Sequence, residues 1–388
     1  MPTTPEASQI DAAREWRRHL HSIPELGFGE HKTSAFVAEK LRSFGLEVHQ
    51  GIGQTGVVGI LRKGSGSQAI ALRADMDALK ITEQTNLPYA STHQGQMPAC
   101  GHDGHMAMLL GAAHHLSRHG QFSGTVHFIF QPNEEHGRGA KAMIADGLFE
   151  RFAFAEIYGI HNMPGMPVGA FATRAGPLMA SEDNFEIRFR GKGGHAARPQ
   201  VANDPIVIAA HAILALQTIV SRRVSALDTA VVSVTEVLTD GTRNVLPETV
   251  ILKGDTRSYR PEIQKIIEAE MRRIAAGIAQ SFGAEVDVTY TQEFASTVNH
   301  DSASQHALAA ARATPGIDRV DAEPEPLMGS EDFGLFLNHK PGNFAFLGNG
   351  VDGANGQPLH NPHYDFNDAA LGPGIAYWSS IVHRKLPA

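Results

Sequence analysis

A single cysteine in 388 residues leaves no intramolecular disulfide framework, so stability must come from a packed core. No stretch reads as an apolar run long enough to span a bilayer, and the N-terminus, Met1-Pro2-Thr3-Thr4-Pro5, lacks a basic segment followed by an apolar one. A membrane anchor and a secretory leader are not expected, and the reading is a cytoplasmic protein. Positive charge is also short. Lys and Arg total 33 against 41 Asp and Glu, a formal charge of -8 that argues against nucleic acid as a partner. Internal repeats are missing, and the loop-like runs are as short as Gly64-Ser65-Gly66-Ser67. What remains is 42% hydrophobic and 19% charged, the composition of a globular chain, and its length points to two domains.

The two domains differ in pattern. Ala7 to Leu20 and His31 to Phe44 carry helical periodicity, the second stopped by Gly45. Strands are expected over Gly56 to Arg62, Ala69 to Ala74 and Val126 to Phe130, with a helix from Met106 to His119 between the last two, which is an α/β alternation. From Asn184 the order becomes βαββαβ. Its members are a strictly alternating strand to Arg190, a helix from Asp204 to Val220, strands Ala230 to Leu238 and Val250 to Thr256, a helix from Pro261 to Phe282 and a strand from Glu285 to Tyr290. That order is the split unit of ferredoxin-like α+β domains, inserted at residues 184–297 into an α/β domain made of residues 1–183 and 298–388. The second part carries a helix from His306 to Ala313, a strand at Phe344 to Leu347 and a final helix from Ala369 to His383.

Ligand-type residues fall where strands end. Cys100 and His102 open a helix, Glu134 and Glu135 follow the strand ending at Phe130, His161 follows Glu156 to Ile160, and His360 lies in a late loop. Open α/β sheets bind ligands beyond the carboxyl ends of their strands, so these segments converge on one crevice. A thiolate, three imidazoles and a carboxylate suit zinc, manganese, cobalt or nickel better than calcium or magnesium. Five ligands exceed what one tetrahedral ion needs, which points to a two-metal site with one bridging residue. If Glu134 and Glu135 are extended, their side chains point in opposite directions, and one binds metal while the other faces substrate as general base; spacing leaves the order open. Asp75, Asp77 and Asp103 are candidates to orient ligand histidines, Asp103 equally a helix cap.

Seven segments then carry a resemblance: MPACGHDGHMAMLLGAA, QPNEEHGRGA, GIHNMP, GKGGHAARPQ, GTRNVLPE, GSEDFG and LHNPHYDFND, in that order. Together they resemble the amidohydrolase branch of the aminoacylase-like metallopeptidases, the branch of the hippurate and indole-acetyl-amino-acid hydrolases. The resemblance implies a zinc-peptidase-type catalytic domain and a dinuclear centre of two divalent ions (Mn, Zn, Ni or Co) on Cys100, His102, Glu135, His161 and His360. It assigns Glu134 as base and implies a lid and homodimerisation role for the inserted domain. His195 of that domain would steady the developing oxyanion, in the same subunit or across a dimer. The expected activity is hydrolysis of N-acyl amino acids, with dipeptides or other C–N amides as the alternative substrates. Pro98, Asn133 and Arg198 depart from the pattern, and Arg198, beside His195, bears on how a substrate carboxylate is accepted.

Other candidates have plainer readings. Asn244 and Arg257 would bind the substrate's carboxylate or amide, or be a turn residue and a surface residue. Ser330 followed by Glu331 and Asp332 reads as a helix cap with first-turn acids. Gly51-Ile52-Gly53-Gln54-Thr55-Gly56 matches a dinucleotide fingerprint, but a strand follows it where a helix is required. Cys100 as a catalytic thiol is the rival chemistry, and it leaves Glu134, Glu135, His161 and His360 without a role. A non-catalytic metabolite-binding protein would lack the base or a ligand, and neither is missing.

Overall fold

The computed structural model describes residues 4–388. They divide into two compact units: the first runs to Leu178 and resumes over Val298–Glu325 and Asp332–Ala388, and the second comprises Met179–Thr297 with Pro326–Glu331.

The first unit opens with helices α1 (Ala7–Ser22) and α2 (His31–Ser43), then strands β1 (Glu47–Ile52), β2 (Gly56–Lys63) and β3 (Ala69–Asp75), helix α3 (His102–His119), and strands β4 (Gly124–Gln131), β5 (Glu156–Pro164) and β6 (Ala170–Ala172). The second unit holds β7 (Ser181–Arg190), α4 (Pro205–Arg222), β8 (Ala230–Thr239), β9 (Thr249–Ser258), α5 (Pro261–Phe282) and β10 (Glu285–Phe294). The chain returns to the first unit with α6 (Asp301–Arg312), β11 (Arg319–Asp321), β12 (Gly342–Gly350) and α7 (Leu371–Lys385).

The first unit is built on an eight-stranded mixed sheet, ordered β1-β2-β4-β3-β5-β12-β6-β11. Its centre, β4-β3-β5-β12, is parallel, and the flanking β1-β2 hairpin is antiparallel. The hairpin turn is the Gly51–Gly56 segment, so no helix N-terminus stands there to receive a pyrophosphate. Helix α3 lies in the core between α1 and α7, with Met106, Leu109, Leu110, Ala113 and Leu116 all buried. Their 3–4-residue spacing is the apolar stripe expected for a helix on a sheet. Strand β1 has no counterpart in the sequence pattern because it is an edge strand, exposed or half-buried up to its last residue and without a run of apolar residues.

The second unit is a four-stranded antiparallel sheet, ordered β8-β9-β7-β10, with α4 and α5 packed on it. This is the ferredoxin-like arrangement inserted in an α/β unit, and the expected fold class is what forms. The unit starts at Met179, earlier than Asn184, because β7 turns Ser181 and Asp183 inward, where a hydrophobic alternation gives no sign of them. α6 begins at Asp301, five residues' worth of chain earlier than the apolar pattern marks, since Asp301 and Ser302 are exposed polar residues.

One expectation is corrected. Helix α4 is long and apolar enough to cross a membrane, with mean hydropathy 1.5 over its 18 residues. Its apolar residues are split: Ile208, Ala212, Leu216 and Ile219 pack into the unit's own core, whereas Ile206, Val207, Leu214 and Val220 are exposed.

Candidate metal centre and active site

The residues of the candidate centre are held at the carboxyl ends of the parallel strands. Gly101 precedes α3 at φ +93, and a Cβ there would lie 2.2 Å from Asn162 Oδ1 and 2.6 Å from the Tyr364 hydroxyl. Only glycine fits both the backbone and the space, and this sharp entry sets Cys100 and His102 on either side of it. His161 lies within β5, which runs on to Pro164, so it does not follow the strand as expected. Glu134 and Glu135 are not extended either. They occupy a turn entered through Asn133 at φ +46 and closed by Gly137 N–H donating to Glu134 O at 2.7 Å. The buried Glu30 carboxylate anchors that turn by accepting from Asn133 N–H at 2.9 Å and the Thr55 hydroxyl at 2.6 Å. His360 sits at φ +65 with its N–H donated to Ala99 O at 2.8 Å.

Among the donor groups close enough to share an ion, two are made of the expected ligands alone, Cys100, His102 and His161 in one and Cys100, Glu135 and His360 in the other. Cys100 is common to both. Cys100 Sγ lies 3.4 Å from His161 Nε2, His360 Nε2 3.5 Å from Glu135 Oε2, and His102 Nε2 3.8 Å from Glu135 Oε1. These gaps are what donors at about 2.0–2.3 Å from a common ion leave between one another. The outward nitrogens are already spoken for. His161 Nδ1–H donates to Asn162 O at 2.7 Å and His102 Nδ1–H to Asp77 O at 2.9 Å, which leaves each Nε2 lone pair for the centre. His102 Nε2, Glu135 Oε1 and Asp77 Oδ1 are buried without a hydrogen-bond partner among the described residues, an expense a cation removes. The residues fit a dinuclear divalent-metal site.

The carboxylates around the centre favour positive charge there. Burial opposes charge on His102, but Asp75 at 3.7 Å and the hydrogen bond to Asp77 overcome it and hold its pKa at about 10. Burial pushes Glu135 up to about 7 against the pull of His102. Cys100 is pushed well above the usual thiol value, by burial first and then by Glu135, Glu134 and Asp75. A thiol so placed is a poor free nucleophile and a good ligand, because only an adjacent cation makes its thiolate favourable. The thiol-hydrolase reading loses its chemistry here.

Residues 71–384 match peptidase family M20/M25/M40. The chain belongs to that family. It is 41% identical over 387 residues to the hippurate hydrolase of Campylobacter jejuni, with 100% of both chains covered. It is 39% identical over 370 residues to an N-acetylcysteine deacetylase of Bacillus subtilis, covering 94% of each. Among solved structures, a dinuclear metal-binding peptidase of the M20 family from Bacillus subtilis superimposes with TM-score 0.84 at 34% identity, covering 97% of this chain and 98% of that one. This M20-family chain is a metal-dependent amidohydrolase, and the donor sets together with that structural neighbour support two divalent ions.

Several expected site residues have other work. Asp103 lies inside the first turn of α3, where it accepts from His21 Nδ1–H at 2.9 Å and from Arg17 at 3.3 Å; it neither caps the helix nor touches a ligand histidine. Asp75 accepts from His105 Nδ1–H at 2.7 Å and from Arg73 at 2.8 Å, and Asp77 accepts from Glu135 N–H at 3.1 Å as well as meeting His102. Arg257 is engaged by Glu182 at 2.9 Å, Asp255 at 3.0 Å and Ser330 Oγ at 2.7 Å, so its charge is matched within the protein. Ser330 is thereby occupied and is not a helix cap. Asp332 instead accepts from Gln131 Nε2 at 2.8 Å and Ala140 N–H at 2.9 Å, tying the segment after β4 in place. His195 is exposed on a two-residue strand paired with Val245–Leu246, and Asn244 accepts from Ala196 N–H at 3.0 Å beside it.

Sequence reasoning missed Asn162 and Tyr364. Asn162 meets His105 Nε2 at 2.7 Å and donates through Nδ2 to the Tyr364 hydroxyl at 2.5 Å, packing both against Gly101. Its position directly after His161 was the available signal.

Proposed function

We propose that the chain hydrolyses the amide bond of N-acyl amino acids of the hippurate type, releasing a carboxylic acid and an amino acid. The observation that carries the reading is the pairing of two donor sets through Cys100 with Glu134 grouped beside His102 and Glu135. Cys100, His102, Glu135, His161 and His360 hold the ions, of which zinc, manganese, cobalt and nickel suit this donor chemistry. Bound there, divalent ions supply Lewis acidity, polarising the amide carbonyl and making water more acidic. The Glu134 carboxylate takes a proton from the attacking water and returns one to the leaving amine nitrogen. His195 donates a hydrogen bond to the carbonyl oxygen as charge develops on it. A thiolate ligand must stay reduced, which fits a cytoplasmic enzyme.

The test is metal content measured alongside turnover of a panel of N-benzoyl, N-acetyl and indole-acetyl amino acids and dipeptides. Activity should fall as a chelator removes metal, return on adding one of the four ions, and favour acylated over free dipeptide substrates. Activity that survives metal removal but not thiol alkylation would overturn the reading, and a preference for free dipeptides would move it to a dipeptidase.

The partner proposed for the second unit is another copy of the chain. Strand β8 is an edge strand with Val237 and Leu238 exposed, and α4, which lies over that half of the sheet, exposes Leu214 at 71%. An unpaired edge beside an apolar helix face suits a two-fold pairing that continues the sheet. Sedimentation should give a dimer for the wild type and a folded monomer for Leu214→Glu; a wild type that is monomeric at every concentration would remove the proposal.

A further inference from the structure

Helix α1 contributes no donor to either ligand set, yet it carries the most deeply buried cation of the first unit. The Arg17 side chain has no exposed surface. Its guanidinium meets Asp103 at 3.3 Å, Asp365 at 2.8 Å and Asp368 at 2.7 Å. Asp103 follows His102 in α3, and the two other carboxylates close the loop that begins at His360. Arg17 Nη1, donating to both Asp103 and Asp365, thus spans the two chain segments from which ligands of different donor sets project. Tyr89 completes the arrangement, its ring 4.6 Å from the guanidinium and its hydroxyl donating to Asp365 at 2.8 Å.

We propose that Arg17 is a positioning residue for the His360 half of the metal centre. The need for one is visible at His360. Its side chain is 52% exposed, and its backbone, in the left-handed region, is tied by its N–H to Ala99 O at 2.8 Å. The other histidine ligands are buried. The rest of the loop is held from behind, where Arg17 sets the distance between Asp365 and the first turn of α3. Nη1 hydrogen-bonds Asp103 and Asp365 while Nε meets Asp368 as an ion pair; lysine carries a single point charge and has no planar group to sit between the three. Partners behind a ligand commonly govern metal affinity by roughly 10- to 100-fold.

The inference rests on His360 being a ligand, and the experiment separates the two claims. Metal-free protein is titrated with Zn2+ against a chromophoric chelator. The wild type should take up two equivalents. In Arg17→Lys one equivalent should weaken by roughly 10- to 100-fold while the other is unchanged. Tyr89→Phe keeps the ring and loses the hydrogen bond to Asp365; it should weaken the same equivalent by less, and it carries the test if Arg17→Lys does not fold. A role confined to stability would lower Tm and leave the ratio of the two affinities as it was, which overturns the proposal, as does equal weakening of both equivalents. His360→Ala is the control: if it keeps both equivalents at full affinity, the ligand assignment fails; if it loses one while Arg17→Lys and Tyr89→Phe lose none, only the role of Arg17 fails.

Discussion

Replacing Glu134 with Gln should lower kcat by roughly 10²- to 10⁴-fold, the contribution of a positioned general base, while two equivalents of metal remain bound. The substitution keeps the shape of the side chain and removes the one property a base needs, an oxygen able to take a proton. Glu134 is 6% exposed and grouped with His102 and Glu135, so a role as an ordinary surface acid is not open to it. Metal retention is what makes the measurement decisive. Glu135 lies within reach of both His102 and His360, and its loss should strip metal along with activity. A Glu134→Gln protein that turns over at the wild-type rate would end the assignment, and one that loses an ion would make Glu134 a ligand.

The division of labour between the two glutamates shows where sequence reasoning stops. Residue types and spacing identified the acid pair, but the alternation argument assumed an extended segment, and the chain turns there. Asn133 at φ +46 is responsible, held by the Glu30 carboxylate from 103 residues away. No local pattern reports a contact of that span. The surroundings of Arg257 were hidden for the same reason: its ion pair with Asp255 is local, but Ser330 comes from a distant loop. Arg17 is the clearest case. Its helix shows ordinary periodicity, while its partners Asp103 and Asp365 are 86 and 348 residues away in sequence. What sequence does carry is periodicity and local chemistry. The apolar stripe of α3 and the βαββαβ order belong to the first kind, and Gly101 between Cys100 and His102 to the second. β1 escaped because an exposed edge strand has neither.

Replacing His195 with Ala should lower kcat by roughly 10²- to 10³-fold, about 3–4 kcal/mol of transition-state stabilisation, with both metal equivalents retained. The local geometry prepares the ring for donation. Ala197 N–H donates to His195 Nδ1 at 3.0 Å, so in the neutral imidazole the proton sits on Nε2, the only nitrogen left to reach outward. The pairing of Gly194–His195 with Val245–Leu246 holds that loop in register, and Ala196 N–H to Asn244 O locks its next residue. A donor aimed at an oxygen that becomes negative only during reaction stabilises the transition state more than the bound substrate. The loss should therefore fall on kcat and spare KM. Asn at position 195 offers an N–H on a shorter side chain and should recover part of the rate, whereas a group that merely packs would not be replaced by it. An unchanged kcat in His195→Ala, or a loss confined to KM, would show that the exposed histidine acts outside the chemical step.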